Sequence, residues 1–401
     1  MHATNFLRSA LEPVSKPCFH TFRVRFSRRF RGATAVLQLV LVPFFIAVMT
    51  ASLLADELPE NATTPGTKGY VSGQLIYALE GRPTPECHAS TIVETNDGLA
   101  AAWFAGTEEK DPDVGIWFAN HDENGWSKPR RLVDGSEGES EDYACWNPVL
   151  YQAPDADGKR GDLMLFYKVG LSPRLWWGAL ITSQDNGKTW SAPRRLGKDK
   201  ALPAKNQNLL GPVRCKPVML SNGTLLCGSS TENDGWKVHM ELTKDLGKTW
   251  RVVGPIHDPL KDETPFEAIQ PTILTHADGR LQILCRTTQD VVSESWTDDN
   301  GETWSQMAAT SLPNPSAGID AVSLKDGRQL LVYNPTRNGR HRLAVAVSKD
   351  GKSWKTPIML EAQPGEFSYP AMIQAADGKV HITYTWKRLS VRHVVLDPGK
   401  I

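Results

Sequence analysis

Beyond its first 55 residues, this 401-residue chain has no apolar run approaching the roughly 20 residues that cross a bilayer, and no cluster of basic residues. Lys plus Arg and Asp plus Glu both number 45, so the formal charge is zero. That balance excludes a nucleic-acid partner, which asks for a basic face. Cysteine is scarce. Of six, Cys18 falls in the first segment, and Cys87, Cys145, Cys215, Cys227 and Cys285 are odd in number and at no metal-ligand spacing. No metal and no cofactor is expected, and the thiols read as small apolar side chains. Helical periodicity is missing throughout, which leaves an all-β chain.

The first 55 residues have a separate logic. Arg23, Arg25, Arg28, Arg29 and Arg31 precede an uncharged stretch from Gly32 to Ala55, and acidic and turn-forming residues begin at Asp56. A basic flank, an apolar core and small residues before a polar start make an export signal. The stretch is also long enough to span a bilayer. Residues 1–55 are therefore read as a cleaved signal peptide or an N-terminal membrane anchor, and membrane contact is expected only there, if the segment is uncleaved. Residues 56–69 read as a linker and 70–401 as the exported domain.

What the domain does have is repetition. Ser183 to Trp190 (SQDNGKTW) returns as Thr243 to Trp250, as Thr297 to Trp304 and, shortened, as Ser348 to Trp354. The aspartates of these boxes, Asp185, Asp245, Asp299 and Asp350, stand 60, 54 and 51 residues apart. Such a period belongs to a repeated supersecondary unit and not to a catalytic motif. A worn copy surrounds Asp122. Within each box the Asp can accept from backbone N–H groups of its own turn, the Gly supplies positive φ, and the Trp caps the layer below.

Between the boxes run six hairpin turns, Asp97-Gly98, Asp157-Gly158, Asn222-Gly223, Asp278-Gly279, Asp326-Gly327 and Asp377-Gly378. Each of the first five is followed by a box Asp 21 to 28 residues later. The unit is then strand, turn, strand, loop, strand, box, strand. Six four-stranded antiparallel sheets of this kind predict a six-bladed β-propeller. The sixth unit lacks sequence for its outermost strand, and Gly73–Leu79 is the candidate to supply it and close the ring.

Equal offset from an equivalent turn means equal position in an equivalent blade. About eight residues before each turn, the inner strands should open onto one end of the central channel, at His88, Asn147, Arg214 with Lys216, Gln270, Asp320 and Tyr369. The second strands return there at Thr107, Lys168, Glu232, Arg286, Asn334 and Trp386. Their loops carry Asp111 and Asp113 in one case, and Arg337, Arg340 and Arg342 in another. Convergent polar groups at one end of a closed scaffold make the candidate ligand site. Trp146, Trp176, Trp177 and Trp386 stand near rim loops, as sugar-stacking surfaces or as core.

Asp boxes on a six-bladed propeller with an arginine-rich mouth resemble the sialidase (neuraminidase) superfamily, over roughly Pro83 to Asp397. The resemblance implies three arginines on a sugar carboxylate, a Tyr nucleophile activated by a Glu, and an Asp as acid/base. It places Tyr369 as nucleophile, Arg286 and Arg340 on the carboxylate with Arg342 and Arg337 as near alternatives, and Asp113 or Asp111 as acid/base. A guanidinium fork matches a carboxylate, and a neutral Tyr attacks without repulsion from it. Two positions depart. His88 lies where the family opens with its first arginine, and Gln270 stands for the activating Glu, although an amide takes no proton from a phenol.

Arg214, Lys216, Asp320 and Trp386 complete the expected substrate-binding set, and the implied partner is a glycan or acidic oligosaccharide. Three functions stay open: a sialidase-like glycoside hydrolase on terminal acidic sugars, a uronate-directed lyase or hydrolase using His88 and Tyr369, and a non-catalytic acidic-glycan-binding propeller.

Overall fold

The computed structural model describes residues 58–136, 142–155, 157–197, 210–233, 235–258 and 266–401, all within the compact unit Leu54–Ile401. The expected signal or anchor lies outside the described residues. Among those described, no helix is long and apolar enough to cross a membrane.

Six antiparallel sheets follow one another along the chain. Blade 1 holds β2 (Glu86–Thr95), β3 (Gly98–Gly106) and β4 (Gly115–Asp122), with β5 (Gly125–Trp126) and β6 (Arg130–Val133) both on the outer edge of β4. Blade 2 is β7 (Cys145–Pro154), β8 (Arg160–Gly170), β9 (Trp176–Ser183) and β10 (Arg194–Arg195). Blade 3 is β11 (Val218–Met219), β12 (Leu225–Thr231), β13 (Lys237–Thr243) and β14 (Arg251–Val253). Blade 4 is β15 (Ala268–Thr275), β16 (Leu281–Thr287), β17 (Val291–Thr297) and β18 (Ala308–Pro313). Blade 5 is β19 (Asp320–Ser323), β20 (Gln329–Tyr333), β21 (Arg342–Ser348) and β22 (Trp354–Ala362). Blade 6 is β23 (Phe367–Gln374), β24 (Val380–Trp386) and β25 (Ser390–Leu396), completed by β1 (Tyr70–Leu75).

The ring therefore closes as expected, with the N-terminal strand as the outermost member of the last blade. That strand starts three residues earlier than the sequence pattern suggested. Ile76 and Tyr77, at the end of the expected run, leave the strand and pack into the buried cluster around Trp103. Residues 58–69 lie against blades 5 and 6, where Thr63 N donates to Met359 O at 2.7 Å. All six hairpin turns fall between first and second strands, and each turn Gly has positive φ, the conformation for which Gly is needed there.

The boxes link each third strand to its fourth. Asp245 accepts from Thr249 N (2.8 Å), Thr249 Oγ1 (2.7 Å), Lys248 N (3.1 Å) and Thr243 Oγ1 (2.9 Å), and Trp250 Nε1 donates to Gly247 O at 3.1 Å. The boxes around Asp185, Asp299 and Asp350 repeat this geometry. Each box also reaches beyond its own blade: Arg130 of blade 1 donates to Gly187 O of blade 2, and Arg194 of blade 2 to Gly247 O of blade 3.

These carboxylates are held ionised by their turns. For Asp185 and Asp299 the hydrogen bonds from side chains and backbone outweigh burial and hold the pKa below the ordinary value. A carboxylate depressed in the fold stabilises above its unfolded pKa and loses that contribution as pH falls through the folded one. Asp245→Ala is expected to lower the thermal midpoint by about 2–4 °C, taking about 1 kcal/mol for a lost capping side chain, and to leave ligand binding per folded molecule unchanged. An unaltered melt would remove the structural role of the box.

Inner strands meet around the channel. Leu150 N donates to Thr91 Oγ1 between blades 2 and 1, and Thr272 Oγ1 to Asp320 between blades 4 and 5. The segment before β11 fills the channel, with Cys215 Sγ 3.5 Å from both Gln270 O and Ile319 O. All five cysteines of the domain are buried thiols.

Candidate active site

A backbone device repeated between blades builds the mouth. Near the start of β2, β7, β15 and β23 the pairing register shifts across one short bulge, and in each bulge a non-Gly residue takes the left-handed conformation: Ala89 (φ 51°), Asn147 (42°), Gln270 (58°) and Tyr369 (49°). Arg214, just ahead of β11, does the same (73°). Each such residue costs of order 1–3 kcal/mol. Bulges re-aim side chains, and here those at Gln270 and Tyr369 bring both side chains onto Arg286, with Arg214 over the Tyr369 ring. Asn147, Arg214, Gln270 and Tyr369 lie at the expected offsets from their turns, and Ala89 is next to the expected His88.

Tyr369 sits at the centre. Arg286 Nη1 donates to its phenolic oxygen at 2.7 Å. The guanidinium carbons of Arg214, Arg340 and Arg286 stand 5.4, 5.5 and 5.7 Å from its ring centroid. Burial opposes ionisation of the phenol, but the charges of Arg286 and Arg340, with the Arg286 hydrogen bond, outweigh it and hold the pKa below the ordinary value. The His88 ring lies 4.3 Å from the Tyr369 ring. His88 Nδ1 faces Thr385 Oγ1 at 3.1 Å, while Nε2 faces Arg388 at 3.5 Å and Glu366 at 3.7 Å. Its burial, followed by the charges of Arg388, Arg340, Arg214 and Arg286, holds the imidazolium well below its ordinary range, so His88 is neutral near pH 7.

The arginines are not equivalent. Arg340 pairs with Glu366 at 3.1 Å, and Arg388 pairs with Glu366 at 3.0 Å and Glu109 at 2.9 Å. Glu366 is pushed up by burial, yet Ser368, Arg388 and Arg340 bring it below the ordinary carboxylate value. Arg286 and Arg214 have no ion pair among the described residues. Arg286 has Gln270 Oε1 at 3.4 Å, Ser316 Oγ at 3.4 Å and an Nε without a partner. Arg214, 2% exposed, donates from Nη2 to Pro370 O, and its Nε and Nη1 are buried without partners. An amide at Gln270, in place of a carboxylate, leaves the Arg286 charge uncompensated and available to an anion.

The structure thus brings together Tyr369, His88, Gln270, Arg286, Arg340 and Arg214. Other expected members lie elsewhere. Lys216 reaches across the channel to Asp320 (2.9 Å) and Ala321 O, and Asp320 also accepts from Thr272 and from Met372 N. This pair ties the segment ahead of β11 to the first residue of β19, and through Thr272 and Met372 to β15 and β23. Arg342 is turned away from the mouth to the carbonyls of Pro59 and Glu60. Trp386 packs between Lys387 and Phe367.

Asp113 clasps Thr107 N and Oγ1 within its own loop, and Asp111 lines an adjoining cleft of about 580 Å³ with Arg131 and Asp134. No hydrogen bond or ion pair joins either aspartate to Tyr369 or the arginines among the described residues; Glu109 is the member of that loop that enters the cluster. Trp146, Trp176 and Trp177 are buried core. Glu366, Arg388, Glu109 and Trp236 were not singled out from the sequence. Arg388 follows Lys387 in a pair of left-handed residues beyond β24, a turn that no offset rule anticipates.

Six blades, four of them closed by an Asp box, with a tyrosine under arginines at the mouth define the sialidase/BNR propeller superfamily. Residues 97–382, more than half of the chain, match the family model described as the BNR repeat-like domain, and the chain belongs to that family. A sialidase of Bacteroides fragilis (strain YCH46) is 27% identical over an alignment of 259 residues that covers 57% of this chain and 44% of that protein. The chain thus spans less than half the length of that relative. Among solved structures, a protein of unknown function from Dyadobacter fermentans superposes with a TM-score of 0.66 at 17% identity, covering 82% of this chain and 98% of that one. The NanB sialidase of Streptococcus pneumoniae gives 0.63 at 14%, covering 84% and 72%. The intramolecular trans-sialidase of Ruminococcus gnavus gives 0.62 at 15%, covering 84% and 99%. These likenesses show the shared fold.

Proposed function

We propose that this chain is an exported, sialidase-like glycoside hydrolase acting on terminal acidic sugars of glycans. The observation that carries the reading is the Tyr369 phenol, 2.7 Å from an Arg286 N–H and overlooked by Arg340 and Arg214. The charge of Arg286 receives the sugar carboxylate, and the same charges favour the phenolate, which forms as the phenol proton passes to water and attacks the anomeric carbon as the glycosidic oxygen departs with a proton. The carboxylate that moves the leaving-group proton comes from the 108–113 loop, and Glu109 is its member in contact with the cluster through Arg388. Water then cleaves the tyrosyl–sugar bond.

A second reading has its own support. His88 and Tyr369 are in ring contact at 4.3 Å and the activating Glu is replaced by Gln270, an arrangement suited to removing the proton beside a uronate carboxylate that Arg286 neutralises. One experiment separates the two. The protein is incubated with sialosides and uronic polysaccharides, and both free acidic sugar and ultraviolet absorbance of an unsaturated product are followed. Release of sugar without absorbance is the expected result, whereas absorbance replaces hydrolysis by elimination. Binding on a glycan array with neither product reduces the protein to a recognition module. Export rests on the arginine-flanked apolar segment, and recovery of the full chain from the cytosolic fraction would remove that part.

A further inference from the structure

Trp236 lies on the loop between β12 and β13 of blade 3, next to Gly235 in positive φ (81°). The Arg286 guanidinium carbon is 5.0 Å from the Trp236 ring and 5.7 Å from the Tyr369 ring, so one cation is shared by aromatic faces from blades 3 and 6. Around that guanidinium, polar restraint is thin. Its contacts to Gln270 and Ser316 are at the 3.4 Å limit, its Nε has no partner, and among the described residues no ion pair holds it. Arg340, by contrast, is fixed by Glu366. A guanidinium is planar and stacks on an aromatic face, which restrains its tilt without neutralising its charge.

We propose that Trp236 is the positioning residue for Arg286: the indole sets the plane of the guanidinium so that Nη1 stays on the Tyr369 oxygen while the charge remains open to an anion. A carboxylate would give the same restraint but would fill the place a ligand takes. The inference rests on Tyr369 and Arg286 being the reacting pair, although its first test needs no substrate. Glu232, on the same loop, is pushed up by its burial against the charges of Arg286 and Arg174.

The test follows the ionisation of Tyr369 by NMR of protein labelled at the tyrosine ring, with the resonance assigned by its loss in Tyr369→Phe. Trp236→Leu should raise the apparent pKa of Tyr369 by about one unit, a tenfold change in the ionisation constant, and Trp236→Phe should restore most of it. On any substrate the wild type turns over, Trp236→Leu should raise KM and lower kcat together and move the pH profile with the phenol. A merely structural role would lower the active fraction and leave that profile in place. In an Arg286→Gln background the Trp236→Leu change should leave Tyr369 where it is, since the group through which it acts is gone. An unshifted Tyr369 in Trp236→Leu, or an equal shift with and without Arg286, overturns the proposal. Should Trp236→Leu not fold, the non-aromatic Trp236→Met and Trp236→Gln in the two backgrounds give the same comparison. A Tyr369 that shifts as expected in a protein that turns over no glycan supports the positioning role and counts only against the hydrolase reading.

Discussion

Tyr369→Phe should fold as the parent does and lose turnover by about 10³-fold or more, within the range that loss of a positioned proton-transfer or nucleophilic group produces. The substitution is close to surgical. Phe keeps the ring that lies under Arg214, Arg286 and Arg340 and beside His88, and it keeps the left-handed bulge. What leaves is one oxygen and the 2.7 Å hydrogen bond it accepts from Arg286. Arg286 Nη1 is then free for a ligand carboxylate, so affinity for a product-like acidic sugar should hold or rise while kcat falls. Measured kcat/KM, product affinity and thermal midpoint together decide the matter. Wild-type turnover in Tyr369→Phe ends the nucleophile assignment. A parallel collapse of binding and melting temperature would instead say that the phenol holds up the mouth.

The parts of this molecule legible in its sequence are those governed by local rules. A box Asp fastens its own turn, and a turn Gly adopts its own φ, so the blade count and the ring closure were readable from spacing alone. Tyr369, Gln270 and Arg286 were reachable because blades repeat, and equal offsets lead to equal places. The rule weakened where the backbone departs from the repeat. Lys216, ahead of β11, and Asp320, at the start of β19, pair with each other and cross-link the channel. Arg342 starts β21 and is taken by the chain at Pro59.

The residues that went unseen share a different property. Glu366, Arg388, Glu109 and Trp236 sit on connections, and each owes its place to a partner in another blade or loop. Glu366 joins Arg340 to Arg388, and Arg388 reaches Glu109 across the ring closure. Such pairings have no period to betray them.

The ring closure itself should make the protein sensitive to mild acid. At the meeting of blades 6 and 1, Trp126 Nε1 donates to His393 Nδ1 at 3.2 Å, so the His393 proton is on Nε2, which donates in turn to His381 Nδ1 at 3.0 Å. Each acceptor nitrogen is already in use, and protonating either ring there breaks a link of the chain. Burial, then the neighbouring His381 and His121, lowers the His393 pKa to about 3. His381 is likewise lowered, mainly by burial and against the charges of Asp377 and Glu94; His121 is lowered by burial against Asp122.

The sign follows from linkage. An imidazole whose folded pKa lies below its unfolded value of about 6.5 has no effect on stability above that pH. Below it, the unfolded chain takes a proton that the fold refuses, and stability falls by roughly 1.4 kcal/mol per pH unit for each such group. With His393 refusing the proton, denaturant unfolding at pH 5 against pH 7 should lose about 2 kcal/mol from that group, and the lowered His88, His381 and His121 act in the same direction. The box carboxylates and Glu366 are depressed groups whose contribution fades only at lower pH, so the slope between pH 6.5 and 5 belongs to histidine. His393→Gln should remove about 2 kcal/mol of that loss, at some cost in stability at pH 7 from the lost Trp126 bond. A parent protein whose stability is flat from pH 7 to 5 would show that these imidazoles charge freely, and with that the closed, dry seam between the last blade and the first would have to be abandoned.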